Sequence, residues 1–92
     1  MAVGKGTAVI DFGATPVSHA QFTVTATDVV PANYVEAFVM VDTEGTNGVE
    51  DHRHAAASWK LVALAGTGSF TLDVWAMFDL MSGPFKIRFA YA

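Results

Sequence analysis

The residues best suited to do chemistry in this sequence are two histidines that follow a group of carboxylates. His52 and His54 are two positions apart, and the acidic residues before them are Asp42, Glu44, Glu50 and Asp51. On a strand, residues i and i+2 face the same side, so a His-x-His pair can offer two imidazoles to one metal ion. An acidic, solvated surface loop explains the same residues. We adopt that interpretation: no cofactor is expected, and His52 and His54 are only candidate metal ligands.

No nucleophilic site can be assembled from the sequence. Serines and histidines are both present, but no serine lies in a recognisable nucleophile motif. Ser18 and His19 are adjacent, so on a strand their side chains face opposite sides. A chain of 92 residues also leaves little room for the cleft that a paired-carboxylate glycosidase needs. We therefore expect that the protein is not an enzyme.

Three aromatic residues could form a binding platform. Trp59, Trp75 and Tyr34 would stack on sugar rings if they were exposed together. The same residue types are enriched in cores and at subunit contacts, and we favour those roles here. A glycan-binding adhesion module stays as the alternative.

The composition indicates a small domain that binds other protein subunits. Hydrophobic residues make up 52% of the chain and charged residues 15%, which is an apolar balance for 92 residues. We expect part of this apolar surface to be covered by another subunit. The net charge is −4 and the five basic residues are scattered, so nucleic acid is not an expected partner. No apolar run approaches the ~20 residues of a membrane helix, and no membrane association is expected.

The elements that must position these residues are predicted to be strands. The clearest covers residues 69–79, where apolar side chains recur at every second position and predict one buried face: Phe70, Leu72, Val74, Ala76 and Phe78. The opposite face mixes polar with large apolar groups: Thr71, Asp73, Trp75 and Met77.

Five further segments have strand patterns: residues 7–12, 18–27, 34–42, 57–65 and 85–91. Residues 43–53 are polar and contain Asn47-Gly48, a turn signal, so we predict a mobile loop there. The fold class is therefore all-β: a small antiparallel β-sandwich or barrel of about six strands, with residues 1–92 forming a single β-sandwich domain.

The last two predicted strands are separated by Ser82-Gly83-Pro84, and we expect them to form a hairpin in the core. In such a hairpin Asp73 and Trp75 would share a face with Lys86 and Arg88. The residues that we expect at a subunit interface are Phe38, Met40, Trp59, Trp75, Met77, Lys86 and Arg88.

Several short motifs occur in a characteristic order along the chain. They are Gly6-Thr7-Ala8-Val9-Ile10-Asp11-Phe12-Gly13, Val35-Glu36-Ala37, the acidic-histidine run Glu50-Asp51-His52, Ala65-Gly66-Thr67-Gly68 before Phe70-Thr71-Leu72, and an aromatic closing strand. In this order and spacing the chain resembles, over nearly its whole length, a family of small β-rich virion structural proteins of tailed bacteriophages. It departs from the family pattern at Glu50-Asp51-His52, where an Asp-Glu-His run is typical, at Ser69, and at Phe89-Ala90-Tyr91, which replaces a Trp-rich end.

The resemblance implies a structural part of a phage particle and supplies no catalytic residues. The expected function is that of a capsid decoration (cement) protein, with a tail-associated accessory protein as the alternative. The implied partners are other virion proteins, such as the major capsid protein or tail proteins, and further copies in a homo-oligomer. The implied location is the virion, assembled in the host cytoplasm.

Overall fold

The computed structural model describes residues 3–92, and the described chain contains six strands and one helix. The strands are five to eight residues long, and along most of them inward-facing apolar side chains alternate with exposed ones. In chain order the elements are β1 (Gly4–Asp11), β2 (His19–Thr25), β3 (Val35–Val39), α1 (Val49–Ser58), β4 (Trp59–Ala65), β5 (Ser69–Ala76) and β6 (Pro84–Tyr91).

The strands form two antiparallel sheets of three strands each. Sheet 1 has the order β1-β6-β3, and sheet 2 has the order β2-β5-β4. The two central strands, β5 and β6, turn their apolar faces toward each other across the core. Phe70 of β5 and Phe89 of β6 meet edge to face, with ring centroids 4.9 Å apart. The predicted fold class, a small all-β sandwich of six strands, is confirmed.

The predicted core hairpin between the last two strands is wrong, because β5 and β6 lie in different sheets. Each carries a row of large apolar side chains: Phe70, Leu72 and Val74 on β5, and Phe85, Ile87 and Phe89 on β6. Side by side in one sheet, both rows would need a further layer to cover them. Facing each other, they bury each other. Asp73 and Trp75 are consequently on the opposite side of the molecule from Lys86 and Arg88.

Strand β5 is also shorter than the alternation predicts. It ends at Ala76, which pairs with Trp59, the first residue of β4, while Trp75 pairs with His19, the first residue of β2. Both neighbouring strands thus begin at this point, and the chain beyond Ala76 has no ladder to join. Phe78, which the alternation places on the buried face, is instead 86% exposed.

Residues 49–53 are helical, so the predicted loop is wrong there. At the start of the helix the Gly48 N–H donates a hydrogen bond to the Asp51 carboxylate at 2.9 Å. The negative charges of Glu50 and Asp51 lie in the first turn, where they interact favourably with the helix dipole. The preceding turn is fixed by Asn47, whose side-chain amide donates to the carbonyls of Ser82 (3.1 Å) and Pro84 (2.8 Å). Within residues 3–92, no helix is long and apolar enough to cross a membrane.

Candidate functional site

The outer face of sheet 1 presents a regular array of side chains from its three strands. The cross-strand register places them in three rows, and β6 supplies the middle residue of each because it is the central strand. The rows are Val9-Lys86-Met40, Thr7-Arg88-Phe38 and Lys5-Ala90-Glu36. Four of the residues expected at an interface therefore share this face: Phe38, Met40, Lys86 and Arg88.

A groove of about 610 Å³ runs across this face. Its floor is low because the central strand carries the small Ala90, while longer side chains stand on the strands at either side. We call this depression the groove; its principal lining residues are Lys5, Thr7, Phe38, Met40, Arg88 and Ala90. Its volume falls in the range of about 300–1,000 Å³ that is usual for binding pockets. Phe38 is 51% exposed at its edge.

The basic groups of this face differ in their partners. Lys86 is paired with Asp42 (3.2 Å) and Glu44 (3.9 Å). Asp42 also accepts a hydrogen bond from the Thr43 N–H; this bond, followed by that from Lys86, lowers the pKa of Asp42 below its ordinary value. In the part of the chain that the structure describes, neither Lys5 nor Arg88 has an ion pair. Arg88 lies over the Phe38 ring, 5.8 Å from its centroid, so the groove combines apolar area with free positive charge.

A second unusual surface lies in the connection between β5 and β6. Residues 77–80, here called the tip, are Met77, Phe78, Asp79 and Leu80. Their three apolar side chains are 57%, 86% and 61% exposed in that order. Three large apolar groups in four exposed positions form a patch of the kind that marks an interaction site.

The tip is held at both ends. Before it, the Ala76 N–H donates to the Ser18 carbonyl at 2.9 Å. After it, the buried Met81 exchanges two backbone hydrogen bonds with Val17, at 2.7 and 2.9 Å. Asp79 is bonded to His54 Nε2 at 2.8 Å. The apolar side chains are thus displayed on a constrained segment, which lowers the entropy that binding must overcome.

The two candidate metal ligands are separated by the helix that carries them. Residues two apart on a helix do not share a face. His52 is fully buried: its Nε2 accepts the Lys86 N–H at 3.1 Å and its Nδ1 bonds the Gly48 carbonyl at 2.9 Å. His54 is exposed and bonds Asp79. Among the described residues, no group of three or more potential protein ligands could hold a metal ion.

The three aromatic residues of the possible sugar platform do not converge. Trp59 packs into the core, with ring centroids 5.3 Å from Phe12 and 4.6 Å from Phe85. Trp75 lies on the outer face of sheet 2, stacked on His19 at 4.6 Å. Tyr34 precedes β3 in sheet 1 and is exposed.

The seven residues expected at an interface are therefore distributed over four places. Phe38, Met40, Lys86 and Arg88 are on the groove face, Met77 is in the tip, Trp75 is on the outer face of sheet 2, and Trp59 is in the core. Sequence reasoning missed Lys5 and Ala90 of the groove, and Phe78 and Leu80 of the tip. The Ser82-Gly83-Pro84 turn signal indicates a connection close to the tip. The alternation of residues 69–79 nevertheless predicts a strand that continues through Phe78.

Comparison of the chain with protein-family models, with curated proteins and with solved structures found no match.

Proposed function

We propose that this protein is a structural subunit of a tailed bacteriophage virion, acting as a capsid decoration protein that stabilises the particle through apolar contacts between subunits. The observation that supports this most directly is the pair of exposed apolar surfaces, the groove and the tip. Each is a contiguous site on a small domain, whereas scattered single apolar residues would need no partner. A subunit that contacts neighbours in a lattice needs such surfaces at more than one place.

The residue types in the groove suit a protein partner. Aromatic residues, Met and Arg are enriched in the centres of interfaces, and the groove offers Phe38, Met40 and Arg88 together. Lys5 and Arg88, which have no ion pair among residues 3–92, favour a partner that brings carboxylates. Such charge complementarity sets orientation and speeds association.

The phage assignment is supported by the sequence resemblance, and two of its motifs lie in the strands on either side of the groove. Residues 6–13 include most of β1, and Val35-Glu36-Ala37 begins β3. The central strand between them is the aromatic closing strand of the same pattern. Three of the motifs thus lie in the sheet that carries the groove, while the motif at residues 65–72 lies in sheet 2 and the acidic-histidine run lies on α1.

The test is binding of the recombinant full chain to purified heads and tails of the phage that encodes it. We expect the chain to co-sediment with heads that lack it and to raise their resistance to heat. Phe38→Glu places a carboxylate in the groove and should weaken binding by about tenfold or more. Thr23→Glu is the matched control, because it adds the same charge on an exposed strand position of sheet 2.

The pattern of binding separates the alternatives. Binding to tails alone would replace the decoration function with that of a tail accessory protein. Binding to neither particle would overturn the proposal. An equal loss of binding in Phe38→Glu and Thr23→Glu would also contradict it, since binding would then not depend on the groove.

A further inference from the structure

We propose that the tip of one copy binds in the groove of a second copy, so that chains associate head to tail. This rests on the proposed function, since the contact would join neighbouring copies on the particle. The occupant of the groove is then a segment of this same chain. It is argued from the chemistry of the two surfaces and from their positions on the molecule.

The two surfaces are complementary in polarity. The tip displays Phe78 and Leu80 beside the carboxylate of Asp79, which is bonded to His54 through Oδ2 and whose side chain is 44% exposed. The groove displays Phe38 and Met40 beside cationic groups that have no ion pair in the described chain, Lys5 and Arg88. An aromatic side chain over the Ala90 floor would meet Phe38, while Asp79 would face Arg88. The net charge of the chain is −4, so the chain as a whole does not attract carboxylates. The attraction for a carboxylate is confined to the basic side chains of this face.

A chain cannot fill its own groove with its own tip. The tip leads through Met81 into Pro84, the first residue of β6, whereas the groove floor is Ala90 near the other end of that strand. Six residues along a strand span about 20 Å. Both ends of the tip are fixed by backbone hydrogen bonds, so residues 77–80 cannot extend over that distance.

The contact is heterologous, because it uses two different surfaces. Copies joined in this way form a ring if the rotation closes and a filament if it does not. A symmetric contact between two groove faces would instead leave Phe78, 86% exposed, uncovered in both copies. The tip also offers few side chains, so the single contact is small and its affinity modest, with a dissociation constant between about 10 μM and about 1 mM.

The test is sedimentation equilibrium of the full chain over that concentration range. We expect the weight-average mass of the wild-type chain to rise with concentration. Phe78→Ser and Arg88→Glu should each lower the association constant by about tenfold or more. Leu64→Ser is the matched control: Leu64 is 73% exposed on the outer face of sheet 2 and lines neither the groove nor the tip, so its replacement should change nothing. Thermal melts of all three variants establish that they are folded.

Mixing the variants tests the head-to-tail geometry directly. A Phe78→Ser copy keeps its groove, and an Arg88→Glu copy keeps its tip. An equimolar mixture should therefore form pairs of one copy of each and nothing larger, at concentrations at which each variant alone stays largely monomeric.

The outcomes are distinct from those of the particle-binding test. A wild-type chain that stays monomeric up to about 1 mM overturns this inference, even if it binds heads and so retains its proposed function. Association that survives Phe78→Ser, or that fails to recover in the mixture, overturns it as well. Association that is lost equally in Leu64→Ser would show that any exposed apolar residue suffices, and would also refute a specific contact.

Discussion

At the scale of single residues, His52 shows how the fold can occupy both nitrogens of a histidine. A backbone N–H can only donate, so the Lys86 N–H fixes Nε2 of His52 as an acceptor. The proton therefore resides on Nδ1 and is donated to the Gly48 carbonyl. The His52 ring thus joins the start of α1 to Lys86 on β6, the central strand of sheet 1. It has no free nitrogen for a metal ion in this arrangement.

Replacing His52 with Leu should destabilise the protein by about 2–4 kcal/mol. The leucine side chain fills a similar volume, but the Lys86 N–H loses its hydrogen-bond acceptor. Chemical denaturation monitored by circular dichroism measures the change in the free energy of unfolding. His54→Leu is the control: His54 is an exposed residue of the same helix, and its loss should cost no more than about 1 kcal/mol. Equal effects of the two substitutions would contradict the bridging role of His52.

Asp42 provides a prediction on pH. Its pKa is lowered in the folded protein, so its carboxylate adds stability above the pKa of the unfolded chain, and this contribution is lost as the pH falls through the folded value. Asp42→Asn should therefore lower the melting temperature at pH 7 but make no difference near pH 2. The exposed Asp28→Asn serves as the control. A deficit of Asp42→Asn that persisted undiminished at about pH 2 would mean that charge is not its cause.

At the scale of elements, β1 shows why glycines occur in a strand. Phe89 of β6 lies opposite Gly6, and Tyr91 lies opposite Gly4. A Cβ atom added at Gly6 would be 2.7 Å from Phe89 Cζ, and one at Gly4 would be 2.5 Å from the Tyr91 hydroxyl. The missing side chains leave room for the two rings to lean over the neighbouring strand. The cost of glycine in a strand is offset by this aromatic cover.

The two glycines should differ in their tolerance of alanine. Phe89 is buried and packed against Phe70, so Gly6→Ala should cost about 1–3 kcal/mol through overpacking. Tyr91 is only partly buried at the end of β6, so its ring can move away and Gly4→Ala should cost less. Thermal unfolding of the two variants side by side measures the difference. The reverse order of stability would show that the rings do not set the requirement for glycine.

At the scale of the whole molecule, one core joins the two sheets. The molecule measures 36 × 21 × 20 Å, and its two central strands, β5 and β6, pack face to face through Phe70 and Phe89. Four of the five connections between successive strands cross from one sheet to the other, the β4–β5 hairpin being the exception. Apart from the β4–β5 hairpin, each sheet is therefore built from strands that are distant in sequence, and we expect the two sheets to unfold together.

Ile87→Ala tests this shared core. Ile87 is fully buried on the central strand of sheet 1, and its truncation should cost about 2–5 kcal/mol. Tryptophan fluorescence includes a signal from Trp75 on sheet 2, whereas far-ultraviolet circular dichroism reports the strands of both sheets. If the sheets unfold together, the two probes should still give one coincident transition in this sheet 1 variant. Val9→Ala, at an exposed position of sheet 1, is the control. Separate transitions for the two probes would show that the sheets are independent units.

The sequence by itself determined which segments are strands and which of their faces are apolar. The alternation of Phe70, Leu72 and Val74, and that of Phe85, Ile87 and Phe89, is a local property fixed by the two-residue period of a strand. It also placed Phe38, Met40, Lys86 and Arg88 among the seven residues expected at an interface, without showing that these four share one face.

Only the tertiary structure decided which strands are neighbours. The same apolar faces are compatible with a hairpin and with two opposed sheets, and the choice depends on what covers them. That choice placed Trp75 and Arg88 on opposite sides of the molecule and gave the groove its floor at Ala90. It also ended β5 at Ala76, where the neighbouring strands begin, and so left Phe78 in the exposed tip. Pairing between distant segments carries no local signature, because it is set by the burial of the whole core.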